Sequence, residues 1–339
     1  MGTADKLGVA IVGLDHWYWA FDLAQQAAQS AGAKLVAMAD PDPARADEVV
    51  KRMGSPVLTD LAAAIEHPDV QVVAITCSTD QAPDLIKRAA ALGKHILGVK
   101  PCALDLETAD TIVEAVTAAG VHYFPLESAW RLGAEKIRQK QWIDEGRIGK
   151  VVRYTHTLNG SLPQAWPGAS ESGWWLDPAR VPGGGWLDHA IYALDYARWI
   201  YGAEPIHVCG VAGARRYPDL AVEDYGVAIY DFPGGHSAVI EDTWTADRGQ
   251  GFVRNELIGT AGAICDDSGP WGKIAVRGNF GYSGWVALEP AKGGVSTIDS
   301  FIGTVRGEHA PVATVADARA NLAGCIAFYR VALAASTQA

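Results

Sequence analysis

The first third of the chain alternates short apolar runs with helical stretches. Leu7–Val12, Lys34–Ala39, Val70–Thr76 and His95–Gly98 are apolar without regular alternation. That is the pattern of strands buried on both faces. Between them, Trp17–Ser30, Pro43–Arg52, Leu61–Glu66 behind a capping Asp60, the stretch up to Leu92, and Asp105–Ala119 read as helices. His122–Phe124 reads as one more short strand. Strand–helix alternation of this kind predicts an α/β domain built on a doubly wound parallel sheet.

After about residue 125 the pattern changes. Ala134–Glu145 is helical and stops at Gly146, Val151–Thr157 reads as a strand, and Asn159–Gly185 is a Gly/Pro/Trp-rich segment without periodicity. Loops of that length are usually functional or disordered. A helix is expected from about Trp186 to Tyr201. Runs rich in β-branched and aromatic residues follow at Ile206–Val211, Tyr225–Phe232, Ser237–Thr245 and Phe252–Ile258, two of them joined by the turn Phe232–Ser237. Val315–Ala335 places Leu322, Cys325, Ile326 and Tyr329 at helical spacing behind Thr314. The expectation is a first domain over 1–125 and an α+β domain over 126–339. The second has an open, mostly antiparallel sheet, and its C-terminal helix is placed to pack back on the first domain.

Composition agrees with two domains, since 339 residues exceed the usual single-domain size, and 49% hydrophobic with 20% charged residues is globular. The net charge of −11 disfavours a nucleic-acid partner. No apolar run approaches the ~20 residues a membrane helix needs, and no cleavable leader is expected, because the N-terminal apolar run is short and no small-residue cleavage site follows it. The five cysteines, Cys77, Cys102, Cys209, Cys265 and Cys325, form no close pair. They fit reduced thiols and a cytoplasmic setting. No His/Cys/Asp/Glu cluster has metal-ligand spacing, so no metal is expected. No nucleophile motif of the G-x-S-x-G kind is present.

The first strand runs into Gly13-Leu14-Asp15-His16-Trp17-Tyr18. Dinucleotide folds carry G-x-G-x-x-G here, for the tight turn, for pyrophosphate approach, and for helix–strand packing. Only Gly13 is kept; Asp15 puts a carboxylate near a pyrophosphate, and His16 stands at the helix start. Asp40 ends the next strand, where an acid accepts from adenine-ribose hydroxyls and repels a 2′-phosphate. That favours NAD over NADP, although Arg45 nearby weakens the preference. Cys77 and Ser78, at the end of the Val70–Thr76 run, complete the expected cofactor contacts with Gly13, Asp15, His16, Asp40 and Lys100.

Gly93-Lys94-His95-Ile96-Leu97-Gly98-Val99-Lys100-Pro101 resembles the G-K-H-V-x-x-E-K-P segment of the glucose–fructose oxidoreductase, inositol dehydrogenase and rhizopine-catabolism (Gfo/Idh/MocA) family. Trp174-Trp175-Leu176-Asp177-Pro178 and Gly183-Gly184-Gly185-Trp186-Leu187-Asp188, with Tyr192 and Asp195 after them, are similar to its G-G-x-x-x-D-x-x-x-H helix. Val222-Glu223-Asp224, Phe232–Gly235, Gly259-Thr260-Ala261-Gly262 and Phe301 to Arg306 follow in family order. The resemblance implies an N-terminal Rossmann domain, a nicotinamide cofactor, and hydride transfer at a secondary alcohol of a sugar or cyclitol. Its working set falls on Lys100, Asp188 and Tyr192. Val99 stands where the family has Glu, and Tyr192 where it usually has His.

Chemistry from the residues supports the same set. A phenol of pKa about 10 is a poor base until a nearby cation favours its phenolate, and Lys100 can supply that cation. Asp188, Tyr192 and Asp195 fall along one helix face by their spacing. His189 is an alternative acid/base group, turned about 100° from Asp188. His156, on a strand, faces either cleft or solvent. Trp166, Trp174 and Trp175 are candidate sugar-stacking residues, or else core. Three readings stay open: an NAD-dependent dehydrogenase acting on a sugar or polyol, with a homodimer or homotetramer expected; a hydrolase or lyase using transient oxidation; and a non-catalytic sugar or nucleotide binder.

Overall fold

The computed structural model describes residues 6–54, 57–268 and 272–336; the first five and last three residues of the expected domains lie outside these. The chain forms two compact units. One comprises Met1–Ala129, Ala165–Ala169 and Val295–Arg319; the other comprises Trp130–Gln164, Ser170–Gly294 and Ala320–Ala339.

In the first unit, β1 (Leu7–Val12), α1 (Trp17–Gln29), β2 (Ala33–Ala39), α2 (Pro43–Met53), β3 (Val57–Leu58), α3 (Leu61–Glu66), β4 (Val72–Ile75), α4 (Ala82–Ala91), β5 (His95–Gly98), α5 (Leu106–Ala119) and β6 (Tyr123–Pro125) alternate along the chain. The strands pair in parallel in the order β3-β2-β1-β4-β5-β6. Val9–Val12 and Val72–Ile75 are fully buried, which explains their unbroken apolar runs. The helices start where short acids offer caps: Asp42, Asp60 and Asp105 accept backbone N–H groups of their first turns. The chain leaves β1 toward β2 and later returns to the other side of β1 as β4. That reversal is the topological switch point, where open α/β sheets bind ligands.

In the second unit, α6 (Ala134–Asp144), β7 (Val151–Asn159), α7 (Leu187–Tyr201), β8 (His207–Gly213), β9 (Tyr225–Phe232), β10 (His236–Thr243), β11 (Phe252–Gly259), β12 (Ala263–Asp267), β13 (Ile274–Arg277) and β14 (Val286–Leu288) follow in order. The eight-stranded sheet runs β14-β13-β12-β11-β7-β10-β9-β8, and β7–β10 is its parallel pair. Alternate residues Tyr154, His156 and Leu158 of β7 and Ala238, Ile240 and Asp242 of β10 are buried on one face. Helix α7 packs there through Trp186, whose indole N–H donates to the Ile240 carbonyl at 3.1 Å. Gly226 makes room for that ring, since a Cβ there would lie 2.7 Å from the Trp186 side chain.

The chain rejoins the first unit through α8 (Thr297–Val305), where Ser296 caps the helix and donates to Gln26 of α1. The last helix, α9 (Val315–Ser336), begins with Thr314 N–H donating to the Asp317 carboxylate at 2.9 Å, one arm of a capping box. From Ala320 it belongs to the second unit, where Phe328 lies 4.0 Å from Trp186 ring to ring.

Candidate active site

At the switch point the sequence folds into a tight turn after β1. Gly13 has φ +79°, and a Cβ there would come within 2.4 Å of the Cys77 side chain, so the segments after β1 and β4 approach as closely as backbone allows. Thr76 hydroxyl donates to the Gly13 carbonyl, and His16 N–H to the Thr76 carbonyl at 2.9 Å. The His16 Nδ1 lies 3.1 Å from the Cys77 carbonyl. Helix α1 begins at Trp17 with neither a side-chain cap nor an acid in its first turn.

Asp40, at the end of β2, is buried and accepts Leu14 N–H and Asp42 N–H, each at 2.9 Å. Burial pushes its carboxyl above the usual carboxylate range, against the pull of these bonds and of Arg45. Each of its oxygens keeps a second lone pair for a ribose hydroxyl. Asp15 accepts Ser78 N–H at 2.8 Å and pairs with Arg45 at 3.0 Å. The arrangement fits a dinucleotide: a glycine turn closed on Cys77, an acid at the end of β2, and a first turn of α1 with no side-chain cap. Gly13, Asp15, His16, Asp40, Cys77 and Ser78 are therefore brought together in one unit. Lys100, two residues past β5, is buried in the same unit.

The second unit holds the other group. On α7, Asp188 and Tyr192 are 7% and 6% exposed, whereas the His189 side chain is 42% exposed. Asp188 Oδ2 accepts the Trp244 indole N–H at 3.1 Å and lies 3.3 Å from His189 Nδ1. The rings form a row: His189 stacks on Tyr192 at 6.1 Å, Tyr192 lies 5.7 Å from Trp130, and Trp130 lies 5.6 Å from His156. His156 is fully buried and so faces inward, not to solvent. Burial lowers its pKa to about 4; its Nδ1 lies 2.9 Å from Asn255 Oδ1 and its Nε2 3.9 Å from Asp242. Asp195, one turn further on α7, forms a buried two-point ion pair with Arg131 at 2.6 and 2.9 Å and accepts from Asn321, so it organises the core.

The tryptophans separate. Trp174 and Trp175 stack on each other at 4.3 Å and are buried with Val181 and Val222 in a small apolar cluster. Trp166 lies in the first unit, donating to Glu48 at 2.6 Å under the Arg45 guanidinium. Trp130, Asp242 and Trp244 were invisible to sequence reasoning. Trp130 and Trp244 reach α7 from other segments and Asp242 lies beside His156, and nothing in their local spacing marks them. Among the described residues no His/Cys/Asp/Glu group is arranged to hold a metal.

Two family models match the chain. Residues 7–126 match the model described as "Oxidoreductase family, NAD-binding Rossmann fold", and residues 137–265 match "GFO/IDH/MocA C-terminal domain". The scyllo-inositol 2-dehydrogenase (NAD(+)) of Bacillus subtilis is 30% identical over 69% of this chain and 66% of its own length. The inositol 2-dehydrogenase of Rhizobium meliloti is 29% identical over 82% and 79%. The aldose-aldose oxidoreductase of Caulobacter crescentus, crystallised with glycerol, superposes with a TM-score of 0.82 at 23% identity, covering 98% of both chains. That last likeness concerns the fold.

Proposed function

The chain belongs to the Gfo/Idh/MocA family of oxidoreductases, and from that premise we propose that it oxidises a secondary alcohol of a sugar, cyclitol or related polyol, or reduces the matching ketone, with Lys100 and Tyr192 as the acid/base unit. The observation that supports this most is on α7, where a carboxylate and a phenol, Asp188 and Tyr192, lie one turn apart, buried beside Trp130. The relatives named for inositol dehydrogenation favour a cyclitol or sugar as substrate.

Gly13, Asp40, Cys77 and Ser78 are the groups that would hold NAD, with Asp40 on the adenine ribose. When bound, the nicotinamide supplies or accepts the hydride. The protein's part is proton management and orientation. Tyr192 takes the hydroxyl proton in oxidation and returns it in reduction, and the Lys100 ammonium favours the phenolate that this requires. Asp188 holds a substrate hydroxyl, its other side anchored by Trp244. His189, more exposed and tied to Asp188, is the competing acid/base group.

The test is NADH absorbance over a panel of inositols, sugars and polyols, followed by variants on whichever substrate responds. Tyr192→Phe removes one hydroxyl and keeps the ring packing. Its turnover should fall by at least ~10², the low end of general acid/base effects, with little change in NAD affinity. His189→Ala should be milder; the opposite ranking transfers the role to His189. Glycoside cleavage with retained NAD and no net NADH would favour transient oxidation on the same fold.

A further inference from the structure

The turn after β1 contains a residue its position does not call for. Two places past Gly13, where dinucleotide folds use glycine so that a diphosphate can approach the backbone, stands Asp15. Its side chain, 15% exposed, does not point away into solvent. Oδ2 accepts Ser78 N–H at 2.8 Å, and Oδ1 takes Arg45 Nη1 at 3.0 Å. A loop N–H and a guanidinium are the donor types that hold phosphate oxygens. The carboxylate thus reaches from the turn after β1 to the segment after β4, the two edges of the switch point.

Arg45 is held from several sides. Asp40 Oδ2 lies 3.9 Å from its Nη1 and Asp42 Oδ2 3.8 Å from its Nε. Its guanidinium lies 5.1 Å from the Trp166 ring centre, and Trp166 is fixed in turn by its bond to Glu48. Three carboxylates therefore share one cation at the place where a dinucleotide's charge is expected.

We propose that Asp15 is an internal anion that competes with the cofactor's diphosphate for Ser78 N–H and Arg45, so that NAD binds by displacing this carboxylate. The proposal rests on the NAD-binding reading above. Two effects lower affinity: the bonds of Asp15 are given up, and its charge repels the incoming diphosphate. The consequence is a cofactor that exchanges between turnovers instead of staying bound, which suits a dehydrogenase rather than a chain that keeps its NAD through transient oxidation.

The experiment is binding of NADH, ADP-ribose and adenosine to the full chain, by calorimetry or Trp fluorescence, in wild type, Asp15→Asn and Asp15→Gly. Asparagine removes the charge and keeps size and an acceptor; glycine also removes the side chain. NADH and ADP-ribose should tighten about tenfold or more in both variants. Adenosine, which has no phosphate, should bind as before, and added salt should narrow the difference for NADH. A purely architectural Asp15 gives another pattern: Asn changes nothing and Gly weakens all three ligands, which overturns the proposal. Wild type that binds NADH without tightening in either variant sinks this proposal alone. If no form binds NADH, the NAD reading falls and the proposal falls with it.

Discussion

A single side chain can show what its element does not, and His156 is the clearest case. It sits fully buried on β7 beside Asn255, with Asp242, His189 and Lys136 around it. Burial penalises its charged form, and the nearby carboxylate does not offset that, so its pKa falls from 6.5 to about 4. A histidine with a lowered folded pKa binds fewer protons folded than unfolded between those two values. Its contribution to stability is therefore complete above about pH 6.5 and is lost as the pH falls toward 4, by on the order of 3 kcal/mol. Denaturant unfolding from pH 7 to pH 4.5 should show this decline, and His156→Gln should flatten it. An equal slope in both proteins would mean that His156 is not the group responsible. At this scale the sequence was partly legible. The i, i+4 spacing of Asp188 and Tyr192 needs only a helix to become a common face. The bond from Trp244 to Asp188 needs the whole sheet in place and left no local signal.

Elements are positioned by residues outside themselves, and α7 is an example. Glu223, in the loop before β9, accepts Gly184 N–H on both oxygens at 2.9 Å, Trp186 N–H at 3.1 Å and the Tyr329 hydroxyl at 2.6 Å. Gly184 has no Cβ because one would lie 2.3 Å from the Glu223 carbonyl oxygen. The glycine run before α7 thus lets the backbone lie against Glu223, which fixes where Asp188 and Tyr192 begin. Glu223→Ala would strand several buried donors, each costing about 1–3 kcal/mol. Stability should fall by at least about 2 kcal/mol, and activity should fall even where the chain stays folded. Glu223→Gln, which keeps an acceptor, should recover part of both; a Gln variant as damaged as the Ala variant would argue against this anchoring. Element by element, long apolar runs were readable because burial on both faces leaves no polar break. The two-residue β3 was too short to show a pattern. The strands β12, β13 and β14 lie in a glycine-rich stretch with little periodicity, and α8 shows in the sequence only through the motif from Phe301 to Arg306.

At the scale of the whole molecule, the alternation of strands and helices was enough for the fold class, because it follows from burial alone. The excursion of Ala165–Ala169 and the return of Val295–Arg319 to the first unit were not readable, since both depend on contacts far apart in sequence. What the whole chain adds to the site is its field. The net charge is −11, and Asp15, Asp40 and Asp42 surround one arginine near the expected ribose position. Such a field opposes any dinucleotide and opposes NADP more, because of its additional phosphate. A ligand that binds only the folded chain stabilises it by about 2.7 kcal/mol at one hundred times its Kd. NAD at that excess should raise the melting temperature, and NADP at the same concentration should raise it less. Because the difference is electrostatic, it should shrink as salt is added. Equal stabilisation by the two cofactors at low salt would show that the acidic cluster does not discriminate between them. It would also move Arg45 from partner of Asp15 to receptor of the 2′-phosphate.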